Sequence, residues 1–193
     1  MNFSESETCR NLMRTFAGEA QAHTRYRLAA RTAAAQQLPI LREVFAYTAE
    51  QELTHAQLFA ARLQAQGITQ LTVDAGTYPL DPADDLPAIL AAARLHELHE
   101  ADAVYPAFAE TAAAEGFSAE AALFRQIAEI EHSHAERFGT LADLAKQNRL
   151  FRDEGSTLWL CTHCGHLHTG SEPPQQCPVC GAVQGYARRA EQA

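Results

Sequence analysis

The 193-residue chain lacks several features that mark membrane, secreted and nucleic-acid-binding proteins. It has no run of ~18 consecutive apolar residues, so no membrane-spanning helix is predicted. Residues 1–16 contain no apolar stretch of signal-peptide length, and we therefore expect a cytoplasmic protein. Acidic residues outnumber basic residues, and the formal net charge is -9. This charge argues against binding to nucleic acid or to an anionic membrane surface.

Runs of β-branched and aromatic residues, which mark strands, are also scarce, whereas Ala dominates many segments. Most of the chain is therefore predicted to be helical. The four long helical segments cover about residues 4–37, 39–66, 84–115 and 118–148. Residues 67–83 contain turn residues and no helical period, and a connection of that length can cross a bundle from end to end. This pattern predicts a mainly α protein with a ferritin-like four-helix bundle over residues 1–150.

Each predicted helix carries glutamate at mid-length on the face that should be buried. Since burying an unpaired carboxylate costs several kcal/mol, a cationic partner is predicted. A Glu from each of two helices and Glu-x-x-His from the other two form the ligand set of di-iron and di-manganese carboxylate bundles. The alternative is a set of solvated or salt-bridged helix acids. The candidate metal ligands are Glu19, Glu52, His55, Glu97, Glu100, Glu131 and His134.

Tyr26 and Tyr105 fall in or beside the same buried faces, where they are candidates to hydrogen-bond a ligating carboxylate. Pro106 is expected to kink the third helix one to two turns beyond Glu100. Other helix acids, among them Glu115 and Glu120, are assigned to the surface. Four further histidines near the acids match no ligand position: His23, His96, His99 and His132.

Four of the five cysteines form two Cys-x-x-Cys-Gly hooks, Cys161/Cys164 and Cys177/Cys180, separated by twelve residues. In a cytoplasmic protein this pattern indicates metal binding rather than disulfides. They lie in a segment, residues 154–193, that is too short to build a sufficient apolar core, so we predict a second domain held by a metal. Four thiolates suit zinc or a single iron. Such spacing is more often a zinc ribbon, and spacing itself does not choose between the metals.

Together these motifs resemble the rubrerythrin family over nearly the whole chain. The resemblance rests on the two hooks and on four helical motifs: Phe16-Ala-Gly-Glu19 through Tyr26, Glu52-Leu-Thr-His55, Glu97-Leu-His-Glu100 followed by Val104-Tyr105-Pro106, and Glu131-His-Ser-His134. It implies a ferritin-like bundle with an oxo-bridged pair of irons, followed by a rubredoxin-like domain with one iron bound by the four cysteines. Zinc in place of that last iron remains an alternative.

The resemblance also implies roles for the site residues. Glu52 and Glu131 would bridge the irons, Glu19 would bind one iron, and Glu97 and His134 would bind the other. Glu100 and His55 would exchange on the first iron, because ferric iron prefers the harder carboxylate and ferrous iron accepts imidazole. Tyr26 and Tyr105 would hydrogen-bond the site.

The implied activity is the reduction of hydrogen peroxide in defence against oxidative stress. Electrons would come from an NAD(P)H-linked reductase or a rubredoxin and pass through the rubredoxin-like centre, and a homodimer is expected. Two other functions remain open. One is a ferroxidase or iron-storage bundle with a structural zinc knuckle, and the other is an electron-transfer or stress-sensing module.

Overall fold

A computed structural model of the chain describes residues 2–82 and 84–190. Three predicted bounds therefore lie outside the described residues. They are the end of the predicted crossover at residue 83 and the outer ends of the two predicted domains at residues 1 and 193. The helices are α1 (Glu7–Ala35), α2 (Pro39–Ala65), α3 (Leu86–His99), α4 (Tyr105–Glu115) and α5 (Ser118–Lys146). Three short strands follow: β1 (Thr157–Cys161), β2 (Leu167–Gly170) and β3 (Ala187–Arg189).

The helices form two packed pairs joined by the long crossover. Helices α1 and α2 pack as a hairpin, while α3 and α4 together pack along α5. Helices α3 and α4 are the two halves of the predicted third helix, joined by a π-helical segment, Glu100–Val104. The predicted mainly α fold, a ferritin-like four-helix bundle, is thus confirmed. No helix among the described residues is long and apolar enough to cross a bilayer.

The π-helical segment corrects the predicted position of the distortion at Pro106. The wide turn begins at Glu100 itself, where the Tyr105 N–H donates to the Glu100 carbonyl. Proline removes the hydrogen bond to the Asp102 carbonyl and its ring crowds that carbonyl, so widening the preceding turn relieves both effects. The distortion therefore lies in the segment that starts with a candidate metal ligand.

The surface assignment was wrong for Glu120, and Glu115, which is half-buried, also has a structural role at the N-terminus of α1. The Ser6 side chain accepts from the Cys9 N–H at 3.0 Å, and Glu115 accepts from the Thr8 N–H at 2.8 Å and from the Thr8 hydroxyl at 2.6 Å. A carboxylate is favourable there because the first N–H groups of a helix are unpaired and carry partial positive charge. Glu120 is buried, with 7% exposure.

Apolar side chains fill the bundle in two clusters on either side of the helix midpoints. One contains Tyr26, Phe45 and Phe138, with the Tyr26 and Phe138 ring centroids 4.9 Å apart. The other contains Phe59, Tyr105 and Phe124, with the Phe59 and Phe124 centroids 5.7 Å apart. On α2, Glu52 lies seven residues from each of Phe45 and Phe59, about two helical turns either way. The acidic residues therefore form a polar layer between two apolar ones.

The strands form one antiparallel sheet in the order β2-β1-β3, which rests against the end of the bundle. Trp159 is 1% exposed, donates from Nε1 to the Gly170 carbonyl at 2.9 Å, and stacks under the Arg189 guanidinium, 4.9 Å away. Gly185 lies against the turn between α1 and α2, where an added Cβ would stand 2.0 Å from the Gln37 carbonyl oxygen. This close approach places the sheet domain on the α1–α2 turn.

Candidate metal centres

Six of the seven predicted bundle ligands meet in the polar layer, with α1 and α3 contributing one each and α2 and α5 two each. All six are buried. They form two overlapping groups, and within each group the ligand atoms lie within 4.8 Å of one another. The groups are Glu19, Glu52, His55 and Glu131, and Glu52, Glu97, Glu131 and His134.

Glu52 and Glu131 belong to both groups and divide their oxygens between the two imidazoles. Nδ1 of His55 lies 3.1 Å from Oε2 of Glu52 and 3.0 Å from Oε1 of Glu131. Nδ1 of His134 lies 3.0 Å from Oε1 of Glu52 and 2.7 Å from Oε2 of Glu131. The i,i+3 spacing on α2 and α5 puts each Glu and its His on one helix face. The result is two adjacent ligand sets that share two carboxylates.

The other two glutamates of the cluster, Glu19 and Glu97, lie at its opposite ends. Oε2 of Glu19 lies 3.7 Å from Nδ1 of His55, and Oε2 of Glu97 lies 3.7 Å from Nδ1 of His134. Their other oxygens accept short hydrogen bonds, from the Tyr105 hydroxyl to Glu19 and from the Tyr26 hydroxyl to Glu97. Each tyrosine thus holds one terminal carboxylate in place.

The polar atoms that face the middle of the cluster lack hydrogen-bond partners among the described residues. They include both oxygens of Glu52 and of Glu131, and Nδ1 of His55 and of His134. The carboxylate and imidazole atoms lie close to each other, but their directions do not meet hydrogen-bond geometry. Buried polar atoms are rarely left unsatisfied, and atoms that converge on a common point fit a shared cation. The donor set of oxygen and imidazole nitrogen suits iron or manganese.

Without a metal, the cluster binds protons. Burial lowers the pKa of His55 and His134, but the facing carboxylates, Glu131 first, outweigh it and raise both to about 12. Burial raises the pKa of Glu97 to about 8. Burial also raises the pKa of Glu131, but the facing imidazoles of His134 and His55 outweigh this effect and lower it to about 2. A metal that binds here must displace protons from the imidazoles.

Glu100 is the predicted ligand that lies outside both groups. Its half-buried side chain lines a cavity beside the cluster, together with Tyr105. Burial raises the pKa of Glu100 well above its usual range, and the charge of Glu19 adds to the effect. Of the two residues expected to exchange on one iron, His55 is therefore inside the cluster and Glu100 outside it.

The four histidines that match no ligand position lie outside the cluster, and three of them have partners elsewhere. Nδ1 of His23 lies 2.8 Å from the Ala49 carbonyl oxygen, and His132 pairs with Asp102 at 3.0 Å on the surface. Nδ1 of His96 lies 2.8 Å from the guanidinium of Arg25, a buried residue. His99 is exposed at the edge of the cavity that Glu100 lines. None of them belongs to either group of candidate ligands.

The four cysteines of the sheet domain also meet, with their sulfur atoms within 4.8 Å of one another. Each hook is closed by a glycine, Gly165 or Gly181, with a φ of +80° or +74°. The N–H groups of these glycines donate to the carbonyls of Cys161 and Cys177, both at 2.8 Å. Left-handed backbone of this kind favours glycine, which explains the Cys-x-x-Cys-Gly pattern.

Backbone donors also face the sulfurs. The N–H groups of Cys180 and Val179 lower the pKa of the Cys177 thiol to about 7. A lowered pKa favours the thiolate, which is the form that binds a metal. The Sγ atoms of Cys164 and Cys177 lie 3.7 Å apart, and those of Cys161 and Cys180 lie 3.9 Å apart. The described cysteines thus form a compact four-sulfur site suited to a tetrahedral metal.

Comparison with known proteins identifies the family of both domains. The family model described as Rubrerythrin matches residues 10–142, and the one described as Rubrerythrin, rubredoxin-like domain, matches residues 159–186. Rubrerythrin-1 of Clostridium acetobutylicum is 35% identical over 183 residues, which cover 94% of this chain and 93% of that relative. The chain belongs to the rubrerythrin family. The mid-bundle cluster is accordingly the di-iron site of a rubrerythrin, and the four cysteines form its rubredoxin-like metal site.

Other relatives and solved structures agree with this membership. Rubrerythrin of Clostridium perfringens is 37% identical and covers 94% of this chain and 93% of its own length. A mixed-valence structure of nigerythrin matches with a TM-score of 0.63 and 26% identity, covering 98% of this chain and 94% of that one. A Desulfovibrio desulfuricans bacterioferritin matches with a TM-score of 0.67 and 21% identity, covering 74% of this chain and 82% of that one, which shows the shared ferritin-like fold.

Proposed function

We propose that this rubrerythrin is a non-haem peroxidase that reduces hydrogen peroxide to water in defence against oxidative stress. Each turnover consumes one peroxide, two protons and two electrons and releases two waters. Family membership supports an oxidoreductase, and the geometry of the cluster supports a two-electron reaction. A pair of irons, when bound, supplies those electrons one from each ion.

The observation that carries the proposal is the sharing of Glu52 and Glu131 between His55 and His134. Each of these carboxylates directs one oxygen to His55 and the other to His134. Carboxylates in this position are suited to bridge two metal ions. Five glutamates and two ferrous ions carry a net charge of -1, and with Glu100 outside the cluster the sum becomes zero. The arrangement with His55 inside is therefore the one that suits the reduced site.

Glu100 and His55 have complementary roles in this proposal. His55 would hold the metal when it is ferrous, and Glu100 would replace it when the metal is ferric, because the harder ion prefers carboxylate. The π-helical segment places Glu100 beside the cluster, and widened turns of this kind are frequent at functional sites. The hydroxyls of Tyr26 and Tyr105 hold Glu97 and Glu19 during this change.

Electrons reach the cluster through the four-cysteine centre, which requires iron rather than zinc. The sheet domain contacts Gln37, just beyond the end of α1, and the helix from Glu19 to Ala35 is about 24 Å long at a rise of 1.5 Å per residue. This distance favours delivery from the four-cysteine centre of a second copy in a homodimer. An NAD(P)H-linked reductase or a rubredoxin would reduce that centre, in a cytoplasm that keeps the thiols reduced.

Metal analysis and rapid mixing test the function. The purified protein is expected to contain three irons per chain and a red ferric thiolate chromophore, and its reduced form should be oxidised by one equivalent of peroxide within seconds. Colourless zinc at the four-cysteine site together with iron uptake by the bundle would instead support the ferroxidase or storage function. Reduced protein that peroxide leaves unoxidised would refute the peroxidase.

A further inference from the structure

A cavity of about 220 Å³ lies between the crossover and the π-helical segment, next to the cluster. Its outer edge includes the exposed side chains of Thr77 and His99, and its inner wall includes Glu100 and Tyr105. Tyr105 in turn hydrogen-bonds Glu19 at the His55 end of the cluster. The cavity therefore connects the surface to the two residues that border the reactive half of the site.

The cavity is much larger than hydrogen peroxide requires, since a water molecule occupies about 30 Å³ in the liquid. Its lining is mostly apolar and includes the side chains of Tyr78, Val104 and Phe108. A small apolar group would lose water contact there without leaving any buried polar partner unpaired. At its inner end the polar groups of Glu100 and Tyr105 lie beside the cluster.

Gly18 contributes to this space. It lies in the middle of α1, one residue before Glu19, where glycine is less favourable than alanine by about 1 kcal/mol. An added Cβ would meet the Tyr78 ring at 3.5 Å, an ordinary contact, and any longer side chain would enter the cavity. The glycine is thus not required by the helix backbone, and its effect is to leave volume beside the site.

The crossover that covers the cavity is fixed at several points. The Tyr78 hydroxyl donates to the Arg14 carbonyl at 3.0 Å, and Arg14 donates to the Asp74 carbonyl at 3.0 Å. Farther along, the guanidinium of Arg25 pairs with Asp81 at 3.1 Å, and both side chains are largely buried. Because these contacts hold the crossover against α1, the cavity has a defined size. It is therefore suited to select a ligand by the size of its side group.

We infer that this cavity admits small alkyl hydroperoxides, such as tert-butyl hydroperoxide, as further substrates. The inference rests on the proposed peroxidase function. The alkyl group occupies the space between Gly18, Tyr78 and Phe108, and the hydroperoxide group faces Glu100 and Tyr105. The O–O bond breaks with two electrons from the reduced protein and two protons from solvent. The alkyl-bearing oxygen leaves as the alcohol and the other oxygen as water.

Stopped-flow oxidation of the reduced, metal-loaded protein tests the inference. Wild-type protein should be oxidised by tert-butyl hydroperoxide at a rate within about 100-fold of that for hydrogen peroxide. Gly18→Val should slow the alkyl substrate about tenfold or more and hydrogen peroxide about threefold or less. Ala34→Val, which adds a β-branched side chain at an exposed position of α1 outside the cavity lining, is the control and should affect neither rate.

A second measurement does not depend on turnover. In the zinc-loaded protein, which is redox-inert, tert-butanol should shift the backbone amide NMR signals of Gly18 and Gly76 saturably, at about millimolar concentration. Gly18→Val should abolish the shift at Gly76. Oxidation by hydrogen peroxide but not by tert-butyl hydroperoxide would overturn the inference alone, whereas oxidation by neither would refute the proposed function. Equal slowing of both substrates, or amide shifts elsewhere, would also contradict the cavity assignment.

Discussion

His55 and His134 lie nearly parallel across the polar layer, with ring centroids 5.7 Å apart and an interplanar angle of 17°. They come from different helices, yet each presents Nδ1 to the same two carboxylates, Glu52 and Glu131. The two halves of the cluster therefore start from similar donors. They differ at the outer residue, because Glu100 lies beside Tyr105, which hydrogen-bonds Glu19 at the His55 end. This difference predicts that the two halves respond unequally to loss of a histidine.

His55→Ala should retain both bundle metals in the oxidised protein and lose one on reduction. Glu100 can replace the imidazole on a ferric ion, but a ferrous ion left without imidazole is held more weakly. Peroxide oxidation should slow as a result. Metal content is measured after incubation with a chelator, before and after reduction. His132→Ala, at an exposed histidine outside the cluster, is the control, and loss of metal from oxidised His55→Ala would show that His55 is a permanent ligand.

Glu131→Ala should empty the bundle site and destabilise the metal-free protein. Glu131 faces both imidazoles at 3.0 and 2.7 Å, so its removal takes away a bridging ligand and leaves buried positive charge uncompensated. Breaking a buried charge pair costs roughly 3–5 kcal/mol. Metal analysis and urea unfolding of the metal-free protein measure the two effects. Glu136→Ala, at an exposed position of the same helix, should change neither, and full metal occupancy in Glu131→Ala would contradict the bridging role.

The helices and the candidate ligands are predictable from the sequence because their signals are local. The i,i+3 spacing of Glu52 and His55 places both on one face of any helix, and the Cys-x-x-Cys-Gly hooks specify a turn closed by glycine. The capping role of Glu115 could not be predicted in the same way. Its partner Thr8 is 107 residues away, so the pairing depends on how the helices pack.

The arrangement around Glu100 also depends on tertiary structure. Pro106 signals a distortion, but residue spacing does not show that the wide turn begins at Glu100 rather than at the proline. Whether His55 or Glu100 enters the cluster depends on side-chain conformations and on the charge of the bound ions, and neither is encoded in residue spacing. The cavity is not predictable from the sequence, because residues 75–79 of the crossover carry no periodic signal and line it only by lying near Gly18.

The metal-free protein should lose stability as the pH rises from about 5 to about 9. The folded pKa of Glu97 is about 8, and that of His55 and His134 is about 12, all above their ordinary values. The folded state therefore binds more protons than the unfolded state in this range, and the free energy of unfolding falls with pH. Below about pH 4.5 the trend reverses, because the pKa of Glu131 is lowered to about 2 and its protonation removes stability.

Metal binding should oppose this trend, since it releases the protons that the cluster holds. The difference in unfolding free energy between metal-loaded and metal-free protein should therefore increase with pH. Urea unfolding of both forms at about pH 5, 7 and 9 measures it, and a metal-free protein that becomes more stable toward pH 9 would contradict the charge assignment of the cluster.

Gly185→Ala should detach the sheet domain from the α1–α2 turn. The added Cβ would stand 2.0 Å from the Gln37 carbonyl oxygen and 3.1 Å from the Pro39 ring, so the backbone must shift. Overpacking of this kind costs typically 1–3 kcal/mol. Limited proteolysis between α5 and β1 should become faster, while the visible spectrum of the four-cysteine centre and the metal content stay unchanged. Gly155→Ala, where an added Cβ meets nothing within 4 Å, is the matched control. Equal protection from protease in both variants would show that the contact with Gln37 does not hold the domain.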